Sequence, residues 1–224
     1  MDEKKDNKVL ENIKETGTLD TPKPNDRIAV VPIIGQIEGH NLLSPQTKST
    51  KYEHLIPQLI GYENDRDVEG VFIILNTVGG DVEAGLAIAE MIQSLSKPTV
   101  SLVIGGGHSI GVPLATSADY SFISPTATMI VHPIRMNGLI VGVPQTFEYF
   151  DKMQDRIIDF VTRTSSIKKE TLKKLMLQTD ELLNDMGTIL IGKQAVDYGL
   201  IKEVGGIKES ISKLNELMGL KKEP

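Results

Sequence analysis

Short apolar runs rich in β-branched residues alternate along the chain with segments of helical period. Residues 28–34 (Ile-Ala-Val-Val-Pro-Ile-Ile), 71–75 and 99–104 are continuous apolar runs, as strands of a parallel sheet are when both their faces are covered. Pro32 marks the first as interrupted or near an edge. From Tyr52, Leu55, Leu59 and Tyr62 fall on one helical face with Ile56 and Ile60 beside them, and Pro57 belongs in the first turn, where a missing N–H costs least. A second helix carries Leu86, Met91 and Leu95. The order is β-α-β-α-β, which predicts parallel strands joined by right-handed crossovers. Two short strands follow at 120–123 and 128–131. Phe147, Phe150, Met153, Ile157 and Phe160 then form the apolar stripe of a long amphipathic helix over 145–163. Further helices are predicted at 171–178 and 193–198, with a strand at 189–191 between them. A last helix carries Ile207, Ile211, Leu214 and Met218 on one face.

Ahead of residue 27 this pattern is absent. Residues 1–26 are charged and polar and end in Thr-Pro-Lys-Pro-Asn-Asp; they bury too little apolar surface to offset their ordering entropy, which predicts a mobile tail. The folded unit is expected over 27–220, with 221–224 fraying. A chain of 224 residues that is 40% hydrophobic and 24% charged supports one sizeable core. Its formal net charge of -6 argues against a general nucleic-acid or anionic-membrane binder. No apolar run approaches the ~18 residues of a spanning helix, and no secretory leader is visible, so the expected location is the cytoplasm. The absence of cysteine excludes disulfides and a thiol nucleophile. His40, His54, His108 and His132 show no metal-ligand spacing such as a helical His-x-x-x-His, which argues against a zinc enzyme.

Two glycine-bearing turns lie at the carboxyl ends of predicted strands, where parallel sheets place their ligands. One is Gly79-Gly80. The other is Gly105-Gly106-Gly107-His108-Ser109-Ile110, which leads into a small-residue helix. A serine at such a strand-to-helix turn is able to attack a carbonyl while nearby amides hold the oxyanion; it also serves equally as a helix N-cap. A serine nucleophile needs a base. His132, at the end of the 128–131 strand, is the candidate, against the plainer reading of a satisfied strand-end histidine. His108 is the weaker candidate, since adjacent side chains on an extended turn diverge. The orienting carboxylate is Asp185 or Asp180, and Gly80 N–H with Ile110 N–H are candidate oxyanion donors from the two turns. A phosphate-loop reading of the first turn fails for want of Gly-Lys-Ser/Thr.

Four motifs in order resemble the Clp protease proteolytic subunits. They are Asn76-Thr77-Val78-Gly79-Gly80, the 105–111 serine segment, Met129-Ile130-Val131-His132-Pro133, and Gln194-Ala195-Val196-Asp197-Tyr198-Gly199-Leu200-Ile201. The wording of 78–85 and 106–113 is nearer to the translocation-enhancing branch of that family. The resemblance covers about 28–204 and implies an α/β fold of the Clp/crotonase kind, with stacked β-α-β units and a protruding handle helix at 145–163. It implies Ser109 as nucleophile, His132 as base, Asp185 as orienting acid, and Gly80 with Ile110 as the oxyanion hole. It further implies peptides or unfolded proteins as substrates, a homo-oligomer of stacked rings, a possible ATPase unfoldase partner, and no need of a metal or organic cofactor. The chain departs from the family in three ways: a shorter Ser-to-His interval, a longer stretch after the aspartate that keeps Asp180 open against Asp185, and His108 where a small residue is usual. A non-catalytic protein that assists export or assembly on this fold is the alternative, and an acyl-CoA enzyme of the related crotonase fold is a third reading.

Overall fold

The computed structural model describes residues 27–135, 142–180 and 186–220. The tail expected at 1–26, Asp185 and residues 221–224 lie outside them. Strands β1 (Ile28–Glu38), β2 (Ser49–Lys51), β3 (Gly70–Gly80), β4 (Thr99–Gly107), β5 (Tyr120–Ile123) and β8 (Glu203–Val204) form a parallel array in the order β2-β1-β3-β4-β5-β8. Helices α1 (Tyr52–Asn64), α2 (Val82–Gln93) and α3 (Gly111–Thr116) are the crossovers. Strand β6 (Thr128–Val131) meets β4 through one residue pair, Gly106 with Thr128, and runs antiparallel to β7 (Thr188–Ile191). Four helices complete the described chain: α4 (Val143–Thr164), α5 (Lys169–Met176), α6 (Lys193–Asp197) and α7 (Ile207–Leu220).

The alternation of side chains along β3 explains why its sequence is apolar throughout. Val71, Ile73 and Leu75 face one cluster with Leu59, Ile88 and Leu114. Phe72 faces the other, with Val100, Leu102, Phe122 and Leu214 of α7. A fully buried side chain of this size is worth about 1.5–3 kcal/mol. Pro32 sits opposite Ile74 on β3, while β2 pairs only with residues 36–38 of β1. At the proline, β1 is therefore an edge.

Three expectations are revised. Helix α1 begins at Tyr52, so Pro57 is in its interior and not in its first turn; its ring lies on the exposed side, where the carbonyl it leaves unpaired is able to meet water. In α4 the buried residues are Met153, Ile158, Phe160 and Val161, whereas Phe147 is 71% exposed. The amino-terminal half of the predicted stripe thus has no core beneath it in one chain. Ile207 is likewise exposed, and α7 packs through Leu214 and Met218.

The glycine-rich strand ends run further than their apolar cores predict. Leu75 pairs with Val103 but Thr77 pairs with Gly107, so β4 carries extra residues at Gly105 and Gly106. Asn76 fills the bulge by accepting from the Gly106 N–H at 2.9 Å through its Oδ1. A Cβ at Gly105 would stand 2.4 Å from that oxygen. The bulge turns the end of β4 toward β6.

Candidate active site

Ser109 lies just past β4 with φ +57°, the only left-handed non-glycine among the described residues. Such a backbone costs about 1–3 kcal/mol and persists only where its surroundings fix it. Here His108 N–H donates to Thr77 O at 3.1 Å, Ser109 N–H to Ile130 O at 2.8 Å, Gly111 N–H to His108 O at 2.8 Å and Val112 N–H to Ser109 O at 2.9 Å. The N-cap of α3 is Ile110, which makes no side-chain cap bond. Ser109 is therefore not the cap, and the plainer reading of this serine is set aside on geometry.

The first glycine turn packs against the second. Gly79 (φ +93°) has Ser109 Cβ at 2.7 Å from where its own Cβ would be. Gly80 (φ +149°) lies so close to β1 that a Cβ would meet Ile37 O at 2.3 Å. The chain then enters α2 through Asp81, whose carboxylate accepts from Ala84 N–H at 2.8 Å. Ile110 N–H has no acceptor among the described residues.

Gly80, Ser109, Ile110 and His132 line one cleft of about 160 Å³. Its other walls are mainly apolar: Val82 from α2, Val112 from α3, Val131 from β6, Ile157 and Val161 from α4, Leu172 and Met176 from α5. His132 follows β6, and its Nδ1 lies 2.6 Å from Pro133 O. A carbonyl oxygen only accepts, so Nδ1 carries the proton and Nε2 the lone pair. Ser109 Oγ and the His132 ring share the cleft with no hydrogen bond between them. Asp180 is exposed and lines a different groove with Lys174 and Tyr198; Asp185 lies outside the described residues.

His108 lines no part of the cleft. Its Nε2 is 2.8 Å from Thr128 Oγ1. Burial, and then the charge of His132, push this ring below the ordinary histidine range. His40 bonds Tyr52 through Nδ1 at 3.2 Å near the surface, and His54 is exposed on α1. Among the described residues no three His, Asp or Glu side chains are grouped to hold a metal ion, and no helix is long and apolar enough to cross a membrane.

Three residues in or beside the cleft escaped sequence reasoning. Thr128 shares the face of β6 with Ile130 and His132 by simple alternation, which was the available signal. Pro133 acts through its carbonyl, which no side-chain pattern reveals. Gln154 of α4 accepts from Ile134 N–H at 2.8 Å and donates toward Met176 Sδ at 3.2 Å, tying the segment after His132 to two helices.

Comparison with known proteins points to one family. The Clp protease family matches residues 31–208. The chain is 56% identical over 217 residues to the translocation-enhancing protein TepA of Halalkalibacterium halodurans, covering 96% of this chain and 85% of that protein. It is 25% identical over 170 residues to the ATP-dependent Clp protease proteolytic subunit of Leuconostoc citreum, covering 73% of this chain and 78% of that one. The fold is similar to that of a point mutant of ClpP1 from Listeria monocytogenes, with TM-score 0.65 and 21% identity over 83% of this chain and 95% of that chain.

Proposed function

The chain belongs to the Clp protease family, and from that premise we propose that it is a serine endopeptidase acting on peptides or unfolded proteins. The observation that carries the reading is the left-handed Ser109, held in the same cleft as a His132 whose Nδ1–H is engaged by a carbonyl. That tautomer leaves Nε2 as the basic atom. Ser109 Oγ attacks the scissile carbonyl and gives its proton to His132 Nε2, while Gly80 and Ile110 N–H stabilise the oxyanion. Collapse breaks the C–N bond as the imidazolium returns the proton to the leaving amine. Water then hydrolyses the Ser109 ester with His132 as base. Asp185 is the proposed carboxylate that stabilises the imidazolium. The apolar cleft walls suit an apolar side chain next to the scissile bond.

The peptidase unit is assigned to residues 27–220, with 1–26 as a charged tail. The exposed aromatic half of α4 supports a homo-oligomer, for which we propose stacked rings in the cytoplasm, with an ATPase unfoldase as a possible partner. A link to protein export is proposed from the name of the 56% identical relative.

The second reading, a non-catalytic protein that assists translocation or assembly, is favoured by that relative's name and by the missing Ser109–His132 hydrogen bond. Such bonds in unliganded sites often tighten only with substrate. Labelling with a fluorophosphonate separates the two. The peptidase reading expects wild type to take the label and Ser109→Ala to take none and to cleave no peptide. A wild type that neither labels nor cleaves would leave the non-catalytic reading.

A further inference from the structure

The three main-chain bonds that His108, Ser109 and Gly111 donate to Thr77 O, Ile130 O and His108 O would form whatever side chain residue 108 carried. The bond from the His108 ring to Thr128 Oγ1 at 2.8 Å is different: it depends on the identity of this residue. It lands on β6, on the face that Thr128 shares with Ile130 and His132. It also lands at the one place where β6 pairs with the main sheet, because Gly106 with Thr128 is the single pair between β4 and β6. The ring has a seat made for it. A Cβ at Gly106 would stand 3.0 Å from His108 Cε1 and 3.1 Å from Nε2.

We propose that His108 is a positioning residue for Ser109, its ring bonded to Thr128 so as to lock the left-handed serine turn onto the strand that carries His132. The proposal rests on the peptidase reading above and adds to it what holds nucleophile and base in register. A left-handed serine survives only where its neighbours over-determine it. The ring supplies a hold from residue 108's own side chain, at the point where turn and strand meet. Burial, and then the nearby His132, favour the neutral form of the ring. A neutral imidazole matches a hydroxyl that both donates and accepts.

The test compares His108→Ala, Thr128→Val, the double variant and His108→Gln, in the assembled protein, with a fluorogenic peptide and a fluorophosphonate. Each single loss is expected to lower kcat and the labelling rate on the order of tenfold with KM within about twofold, because misplacement of the attacking atom is felt in the chemical step. The double variant is expected to be no slower than either single one, since both remove one bond. His108→Gln, whose amide reaches the place of Nε2, is expected to recover most of the rate. Rates within about twofold of wild type in both single variants, or losses that multiply in the double, would overturn the proposal. Amide exchange over 105–112 reads the lock without substrate. Faster exchange there in both single variants, in a protein whose wild type does not label, would keep the lock and discard the peptidase. Unchanged exchange would discard the lock.

Discussion

Gly79 and Ser109 pack so closely that a Cβ on the glycine would stand 2.7 Å from the Cβ of the serine. The two turns are thereby one object: the strand end that presents Gly80 and the strand end that presents Ser109 cannot move independently. Gly79→Ala brings both a side chain at φ +93° and this contact. It is expected to destabilise the protein by about 1–3 kcal/mol from overpacking alone and to slow Ser109 labelling by more than the stability loss explains. Thermal unfolding and labelling rate, measured on the same samples, check this.

Gly85 gives a reversal of an ordinary rule. In the interior of an exposed helix, alanine is about 1 kcal/mol better than glycine. In α2 a Cβ at position 85 would meet Ile110 Cγ1 at 2.3 Å, so Gly85→Ala is expected to destabilise, by about 1–3 kcal/mol. Ile110→Ala removes the obstructing atoms but leaves a cavity. The double variant should therefore lose less than the sum of the two singles, and denaturant midpoints measure the difference.

Much of this architecture is legible in the sequence, and the exceptions have physical causes. The apolar runs place β1, β3 and β4, and the glycine turns mark where their chemistry lies. They do not reveal that β4 bulges at Gly105 and Gly106, because the filler is the side chain of Asn76 on another strand. Ser109 is ambiguous in sequence, since a serine before a short helix serves as cap or nucleophile; its φ of +57° and the N-cap at Ile110 remove the first reading. The stripe from Phe147 to Phe160 correctly predicts a helix yet overstates its burial. Amphipathicity reports that a face will be covered, not that the same chain covers it. Gln154 and the carbonyl of Pro133 carry no periodic signal, and their roles arise only once α4 and β6 are side by side.

The depressed pKa of His108 sets a pH dependence. In the unfolded chain this histidine titrates near 6.5, and in the folded protein lower. The unfolded state therefore binds more protons in that window, and stability falls as pH drops below about 6.5 toward the folded value. Well above 6.5, where neither state binds the proton, the group contributes no pH dependence. His108→Gln is expected to lose less stability than wild type between pH 7 and 5, read as a smaller fall in unfolding midpoint.

Two exposed ion pairs clamp α4 to α2: Arg156 to Glu83 at 2.7 and 3.0 Å, and Arg163 to Glu90 at 2.8 and 2.9 Å. The Glu83 carboxyl is held below its usual range mainly by the hydrogen bond from Arg156. Both partners of each pair are roughly half exposed, so solvent screens them. Arg156→Met is expected to cost under about 1 kcal/mol, with the loss shrinking further in high salt. Unfolding at two salt concentrations decides this.

The central claim is that Ser109 is a nucleophile activated by His132. Its most direct test is mass spectrometry of the fluorophosphonate adduct on wild type, His132→Ala and Ser109→Ala. The account expects one adduct per chain on the wild-type peptide containing Ser109, a rate lower by a factor on the order of a thousand in His132→Ala, and none in Ser109→Ala. An adduct at another residue, or equal rates with and without the imidazole, would contradict it.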